Sequence, residues 1–322
     1  AMREAKIIEE YIPMIEPTHE PTVTPTAAPT AEPILTPAPK TERPQPEQAK
    51  PVETPAPTPE PTQAQAPTPE PVRKKSKATF NETSDSIEWA RWTWNPMTGC
   101  LHDCDYCYAR DFVKLYPIGF PNGFKPTFHA DRLDAPQNTK PSKKEGQGYK
   151  NVFVCSMADL FGAWVETDHI QQVINACEDA PEWNFIFLTK NPSRLMEFVF
   201  PENAWVGTTV DVQSRVEPAV KAFTELDKSE DRPTVLFLSC EPMLESLDFG
   251  EYGLNPFDWV IIGGGSRSEK TPATQPEFEW VFDLTTKARL HGCKVYWKPN
   301  LKSRPKEYPT HPETQPAHLA AM

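Results

Sequence analysis

Val235-Leu236-Phe237-Leu238-Ser239 is followed at once by Cys240-Glu241-Pro242: a run with no polar alternation, then a thiol, a carboxylate and a proline stop. A strand with one wet face alternates apolar and polar side chains. This one does not, so both of its faces are expected to be covered, as in a parallel sheet packed against helices. The same kind of run recurs on either side, at Trp92 to Pro96, Val152 to Cys155, Phe185 to Leu188 and Trp205 to Thr209 before it, and at Trp259 to Ile262 and Lys294 to Trp297 after it. Between these runs, Asp168 to Glu178, Ser193 to Phe198, Val212 to Leu226 and Glu277 to His291 are predicted helices, the last closed by His291-Gly292 as a C-cap. Strand and helix alternating over short connections give an α/β fold, specifically a partial or open (βα) barrel.

In such folds ligands bind at the C-terminal ends of the strands. The residues just past the predicted strands are Ser156-Met157-Ala158-Asp159, Thr189-Lys190-Asn191, Thr208-Thr209, Cys240-Glu241-Pro242, Gly263-Gly264-Gly265 and Lys298-Pro299-Asn300. Turn and capping chemistry accounts for the glycines, but not for Glu241, Lys190 and Lys298 together. The clustering points to an enzyme.

After the first predicted strand comes Gly99-Cys100-Leu101-His102-Asp103-Cys104-Asp105-Tyr106-Cys107-Tyr108. The spacing C-x3-C-x2-C lets one compact loop place three thiolates around a face of an iron–sulfur cube, leaving the fourth iron without a protein ligand. A structural zinc ion would need a fourth closing ligand, and no second cysteine pair lies nearby. His102, Cys155 or Cys240 are the groups that would close such a site. Cys155 and Cys240 also read as small core residues or as hydrogen-atom donors facing the barrel interior.

These residues resemble the radical SAM superfamily, with an aromatic residue, Tyr106, just before the last cysteine. More closely, Trp94-Asn95-Pro96-Met97-Thr98-Gly99-Cys100, Cys107-Tyr108-Ala109-Arg110, Met157-Ala158-Asp159-Leu160-Phe161, Phe187-Leu188-Thr189-Lys190-Asn191-Pro192, Leu238-Ser239-Cys240-Glu241-Pro242 and Trp259-Val260-Ile261-Ile262-Gly263-Gly264 are similar to the phage Gp37/Gp68 family, also called DUF5131. The resemblance runs in order from about Glu88 to Lys302. It implies a [4Fe-4S] cluster on Cys100, Cys104 and Cys107, with S-adenosyl-L-methionine (SAM) chelating the open iron through its amino and carboxylate groups. One-electron cleavage of SAM would then yield a 5′-deoxyadenosyl radical that abstracts hydrogen from substrate. Tyr106 is expected near the adenine, and Gly263 and Gly264 where backbone approaches adenine or ribose. The superfamily often has a Gly-Gly-Glu-like segment after its second strand; this chain has Ser156-Met157-Ala158-Asp159, with Asp159 as the acceptor for the SAM ammonium. Glu241, Lys190 and Lys298 are the candidate catalytic residues on the substrate side, with Arg194 beside them; for Glu241 a salt bridge to a neighbouring lysine is the competing role. Phage occurrence of the family points to a nucleic acid or nucleotide substrate, a small molecule or peptide being the alternative. The resemblance also implies an electron donor such as ferredoxin or flavodoxin.

Outside this region the composition changes. Eighteen of the 38 prolines lie between Pro13 and Pro71, a stretch with no glycine and few large apolar residues, expected to be a disordered, extended arm. The expected organisation is a short N-terminal segment (1–15, with a short helix around Ile7, Ile8 and Tyr11), a Pro-rich linker (16–83), the α/β domain (84–304) and a C-terminal tail (305–322). Residues 1–78 hold 9 of the 33 Lys and Arg and 11 of the 45 Asp and Glu, so the remainder carries 24 against 34, a net charge of −10. That excess opposes broad, charge-driven nucleic-acid binding while leaving room for a local basic groove. The run Arg73-Lys74-Lys75-Ser76-Lys77 reads as a solvated linker end. No apolar stretch is long enough to cross a bilayer and none resembles a secretory h-region, which together predict no membrane partner and a cytoplasmic protein. Seven cysteines, three of them clustered, suit a metal site plus reduced thiols. The competing function is a zinc-stabilised, non-enzymatic binding module tethered by the Pro-rich arm.

Overall fold

The computed structural model describes residues 77–83, 87–141 and 148–301; the short N-terminal helix, the Pro-rich arm up to residue 76 and the tail from residue 302 lie outside the described residues. The chain divides into two units, Ala1–Glu70 and Pro71–Met322, and all that follows concerns the second.

Its strands are β1 (Asn81–Glu82), β2 (Trp92–Trp94), β3 (Met97–Thr98), β4 (Thr127–Phe128), β5 (Asn151–Val154), β6 (Asn184–Thr189), β7 (Ala204–Thr209), β8 (Val235–Cys240), β9 (Trp259–Ile262) and β10 (Lys294–Trp297). The helices are α1 (Tyr108–Leu115), α2 (Ala135–Asn138), α3 (Thr167–Glu178), α4 (Val216–Lys228) and α5 (Phe278–Leu290). Eight strands form one sheet in the order β1-β2-β5-β6-β7-β8-β9-β10. Only the β1–β2 pairing is antiparallel; the rest are parallel. Among the described residues no pairing joins β1 to β10, so this is the open form of the expected parallel α/β architecture.

The uniformly apolar strands feed two separate clusters, because successive side chains leave a strand on opposite faces. One face sends Val152, Phe185, Val206, Leu236, Val260 and Val295 into a large core shared with α3, α4 and α5. The other sends Ile186, Trp205, Val235, Phe237, Ile261 and Tyr296 into a second cluster closed by Trp89 and Ala90. Trp259 lies at its centre, with ring centroids 5.7 Å from Trp205, 5.7 Å from Phe237 and 6.0 Å from Tyr296. Gly207 is required there, since a Cβ would fall 2.4 Å from the Phe237 ring.

Two expected elements differ from those observed. Ser193 to Phe198 was expected as an ordinary helix; Pro192–Glu197 is a tight 3₁₀ segment beginning at a proline. Its Arg194 donates to the carbonyls of Gly162 (2.5 Å) and Val165 (2.6 Å), which ties the turn to a neighbouring loop. The helix expected from Val212 begins as a 3₁₀ turn at Gln213–Arg215 and becomes regular only at Val216.

The parallel registers bring Thr189, Thr209, Cys240, Ile262 and Trp297 to one edge, and the residues that follow them form a continuous polar rim.

Candidate functional site

The cysteine loop follows β3, which pairs with β4 in a separate two-stranded sheet, and opens at Gly99, whose φ of 83° and close approach to Lys125 exclude other residues: a Cβ would lie 2.3 Å from the Lys125 carbonyl oxygen. Gly99 N–H donates to the Met157 carbonyl at 2.9 Å, joining the loop to the segment after β5. The backbone then turns through Asp103 in the left-handed region (φ 49°), and Cys107 N–H closes the turn on the Cys104 carbonyl at 3.2 Å. Cys107 is the N-cap of α1. All three thiols are half-buried. Burial pushes the Cys100 thiol up to about 11, and burial likewise raises Cys107.

Three side-chain or backbone contacts pin this loop to the rim. His102 Nε2 meets Asp159 Oδ2 at 2.7 Å, and the imidazole packs edge-on to Trp164, 4.9 Å between centroids. Tyr106 O–H donates to Asp211 Oδ2. Ser268 Oγ donates to the Asp105 carbonyl at 2.8 Å. Lys190 sits against Tyr106, its Nζ 4.8 Å from the ring centre and hydrogen-bonded to the phenolic oxygen, and reaches Asp211 Oδ2 at 2.6 Å. Arg215 Nε lies 2.7 Å from Asp211 Oδ1 as an ion pair without hydrogen-bond alignment. Burial alone would raise the Asp211 carboxyl; the charge and hydrogen bond of Lys190, the Tyr106 hydroxyl and the Arg215 charge outweigh it and hold the group below its ordinary value. Burial, then the neighbouring Asp211 charge, drive the Tyr106 phenol far above its ordinary range, so it stays protonated.

Asp159, expected as an acceptor for an ammonium ligand, is occupied by the chain's own donors. Oδ1 accepts from Phe161 N–H (3.0 Å) and Thr189 Oγ1 (2.7 Å), and Oδ2 from Lys190 N–H (2.8 Å) while facing His102. It braces the ends of β5 and β6. Further along the rim, Lys298 Nζ lies 3.1 Å from Glu241 Oε1 and 5.9 Å from the Trp89 ring centre, so Glu241 does form the lysine salt bridge considered for it. Gly263 makes space for this pair: a Cβ there would fall 2.9 Å from Lys298 Cγ and 3.0 Å from Glu241 Cγ. Gly264 exchanges hydrogen bonds with Asn300 (3.1 and 2.7 Å), and a Cβ would fall 2.6 Å from the Thr274 carbonyl oxygen. The space that a side chain would take at both glycines is thus filled by protein atoms. Arg194 is spent on the loop carbonyls described above and on Glu197 at 3.6 Å.

The structure therefore brings Tyr106, Asp159 and Lys190 into one network with the cysteine loop. Glu241 and Lys298 form a second group on the same rim. Beside Lys190 lies a cavity of about 320 Å³, also lined by Thr208, Thr209, Ser214 and Arg215. Sequence reasoning missed Asp211 and Arg215. Their signal was an acid just past β7 with an arginine four residues on, obscured because the local pattern was read only as a helix start.

The donor set bears on what metal the loop would hold. His102 is engaged by Asp159, and Cys155 and Cys240 are buried in the helix-side core. Burial raises the Cys155 thiol to about 12, and Cys240 also lies well above its ordinary value. Cys155 and Cys240 are thus not presented to the loop, whereas His102 lies within it, and an imidazole paired with a carboxylate through one ring nitrogen can still ligate a metal through the other. Among the described residues no three His, Cys, Asp or Glu side chains are gathered tightly enough to hold a single ion. Three thiols on one compact loop suit a cluster that keeps one iron open.

Residues 84–310 match the family described as a protein of unknown function (DUF5131). No curated protein matches the chain. Among solved structures, spore photoproduct lyase complexed with dinucleoside spore photoproduct is similar with a TM-score of 0.44 and 12% identity, over 70% of this chain and 81% of that one. A mutant of that lyase with bound AdoMet and dinucleoside spore photoproduct gives 0.43 and 12%, over 69% and 79%. A radical SAM methyltransferase from Sphaerobacter thermophilus gives 0.40 and 11%, over 65% and 66%.

Proposed function

The chain belongs to the family described as a protein of unknown function (DUF5131), and from that premise we propose that it is a radical SAM enzyme whose [4Fe-4S] cluster is held by Cys100, Cys104 and Cys107. The observation that carries this reading is the three-thiol loop itself, pinned to the strand ends by His102, Tyr106 and Asp105. When bound, the cluster would supply the electron for reductive cleavage of SAM. Around it, Tyr106 would position the loop against Asp211 and Lys190. Lys190 and Arg215, sharing the single carboxylate of Asp211, leave a net positive wall on the neighbouring cavity, which suits a carboxylate or a phosphate. Lys298 Nζ and Glu241 Oε1 would form a donor–acceptor couple able to orient a polar substrate group or to hold its proton. On this reading the substrate is a nucleotide or a nucleic acid, engaged locally because the domain as a whole is acidic, and a ferredoxin or flavodoxin provides electrons.

No helix among the described residues is long and apolar enough to cross a membrane, and the proposed site of action is the cytoplasm. Anaerobic reconstitution tests the main claim. A brown protein with about four irons per chain that cleaves SAM to 5′-deoxyadenosine after reduction is the expected result. A colourless protein with one zinc and no SAM cleavage would overturn it in favour of a binding module. Oligonucleotide binding titrated against salt tests the substrate class, and no affinity even at low salt removes nucleic acid from it.

A further inference from the structure

Arg110 is not among the residues expected to act, yet it touches the cysteine loop more than any rim residue does. It stands three residues after Cys107, one turn into α1, and a helical side chain leans back toward the N-terminus of its helix. That direction folds the guanidinium under the loop, leaving its side chain only 12% exposed. Nη2 donates to the Cys104 carbonyl at 2.8 Å and leans toward the Asp105 carbonyl at 3.4 Å, while Nη1 pairs with the Asp103 carboxylate. The ion pair with an exposed Asp103 contributes little by itself. The charge-assisted bond to a loop carbonyl, made by a planar fork that also fixes its neighbour, contributes more. Asp103 is also where the backbone passes through the left-handed region, so the fork holds the loop at its sharpest turn.

The guanidinium is not exhausted by these contacts. Its Nε is buried and has no hydrogen-bond partner among the described residues. Because it bonds to the carbonyl of Cys104 itself and is largely buried under the loop, its charge stands beside the cysteines. A fixed positive charge beside the thiolates favours the more negative, reduced form of whatever they hold.

We propose that Arg110 is the positioning residue of the cysteine loop, clamping the backbone between Asp103 and Asp105 and placing a permanent charge against the thiolates, so that it governs both cluster retention and cluster reduction. The inference rests on the radical SAM reading given above. In the full-length chain, reconstituted anaerobically, Arg110→Met is expected to lose iron to excess chelator about tenfold faster than wild type and to be reduced at a lower potential. Arg110→Lys keeps the charge without the fork, so it should restore the potential while iron loss stays fast. Wild-type retention and potential in Arg110→Met would overturn the proposal. Should that variant fail to fold, Arg110→Gln keeps the stem and an amide donor without the charged planar fork and is expected to speed iron loss about two- to threefold, and no change would count equally against the proposal. If the wild-type chain takes up no cluster, the functional reading fails and the charge role fails with it. The clamp is then decided in the metal-free protein: hydrogen exchange at the Cys107 amide should quicken in Arg110→Met, and unchanged exchange refutes it.

Discussion

The inner face of the sheet and its C-terminal rim are built from the same strands and obey opposite rules. On the inner face Trp259, Trp205, Phe237 and Tyr296 pack with no exposed surface above 4%, and the binding force is burial of aromatic area. On the rim, one to five residues beyond the strand ends, Asp159, Asp211 and Lys298 are nearly as buried and Lys190 is mostly so, yet each is held by charge and hydrogen bonds. The lesson is a division of labour: the apolar face sets stability, and the rim spends some of it to hold charged groups in fixed positions.

The sharpest break of that comparison is at the thiols. Cys104→Ala should abolish iron uptake and SAM cleavage while leaving the denaturant midpoint of the metal-free chain almost unchanged, because a half-exposed side chain on a loop supports little packing. An unfolded variant would show the loop to be part of the core. Trp259→Ala should do the reverse, costing about 4 kcal/mol in equilibrium unfolding by deleting the centre of the aromatic cluster. Asp211→Asn comes next, at about 3 kcal/mol, since it leaves the largely buried Lys190 and the half-buried Arg215 without their anion. Its pH signature is specific. A carboxyl held below its ordinary value adds stability that is present above the unfolded value of 3.8 and is lost as pH falls through the depressed folded value. Acid unfolding of Asp211→Asn should therefore be shallower than that of wild type, and an identical acid limb would mean the network is not intact in solution. The smallest effect is expected from Gly263→Ala, about 2 kcal/mol from crowding Lys298 and Glu241. A loss of activity greater than its loss of stability would mark that pair as part of the chemistry.

The strands were legible because a doubly buried strand is apolar at every position, and Val235 to Ser239 needs no tertiary knowledge to be read that way. The cysteine spacing was legible because three thiols on one loop are a local property. Helix α1 was not anticipated, since its eight residues, Tyr-Ala-Arg-Asp-Phe-Val-Lys-Leu, expose Phe112 and Leu115 and blur the expected pattern. The contacts of Asp159, Gly264 and Arg194 also escaped the sequence: all three bond to residues far away in the chain, and a distant partner leaves no local mark.

Local sequence thus determined the parallel α/β character and the three-thiol loop, because strand burial and ligand spacing are written in neighbouring residues. Tertiary structure decided everything that depends on who meets whom across the rim: that Tyr106 and Lys190 share Asp211, that Lys298 pairs with Glu241, and that Arg110 turns back under the loop rather than out to solvent. A charged side chain takes its role from the partner it reaches, and the register of parallel strands brings those partners within reach.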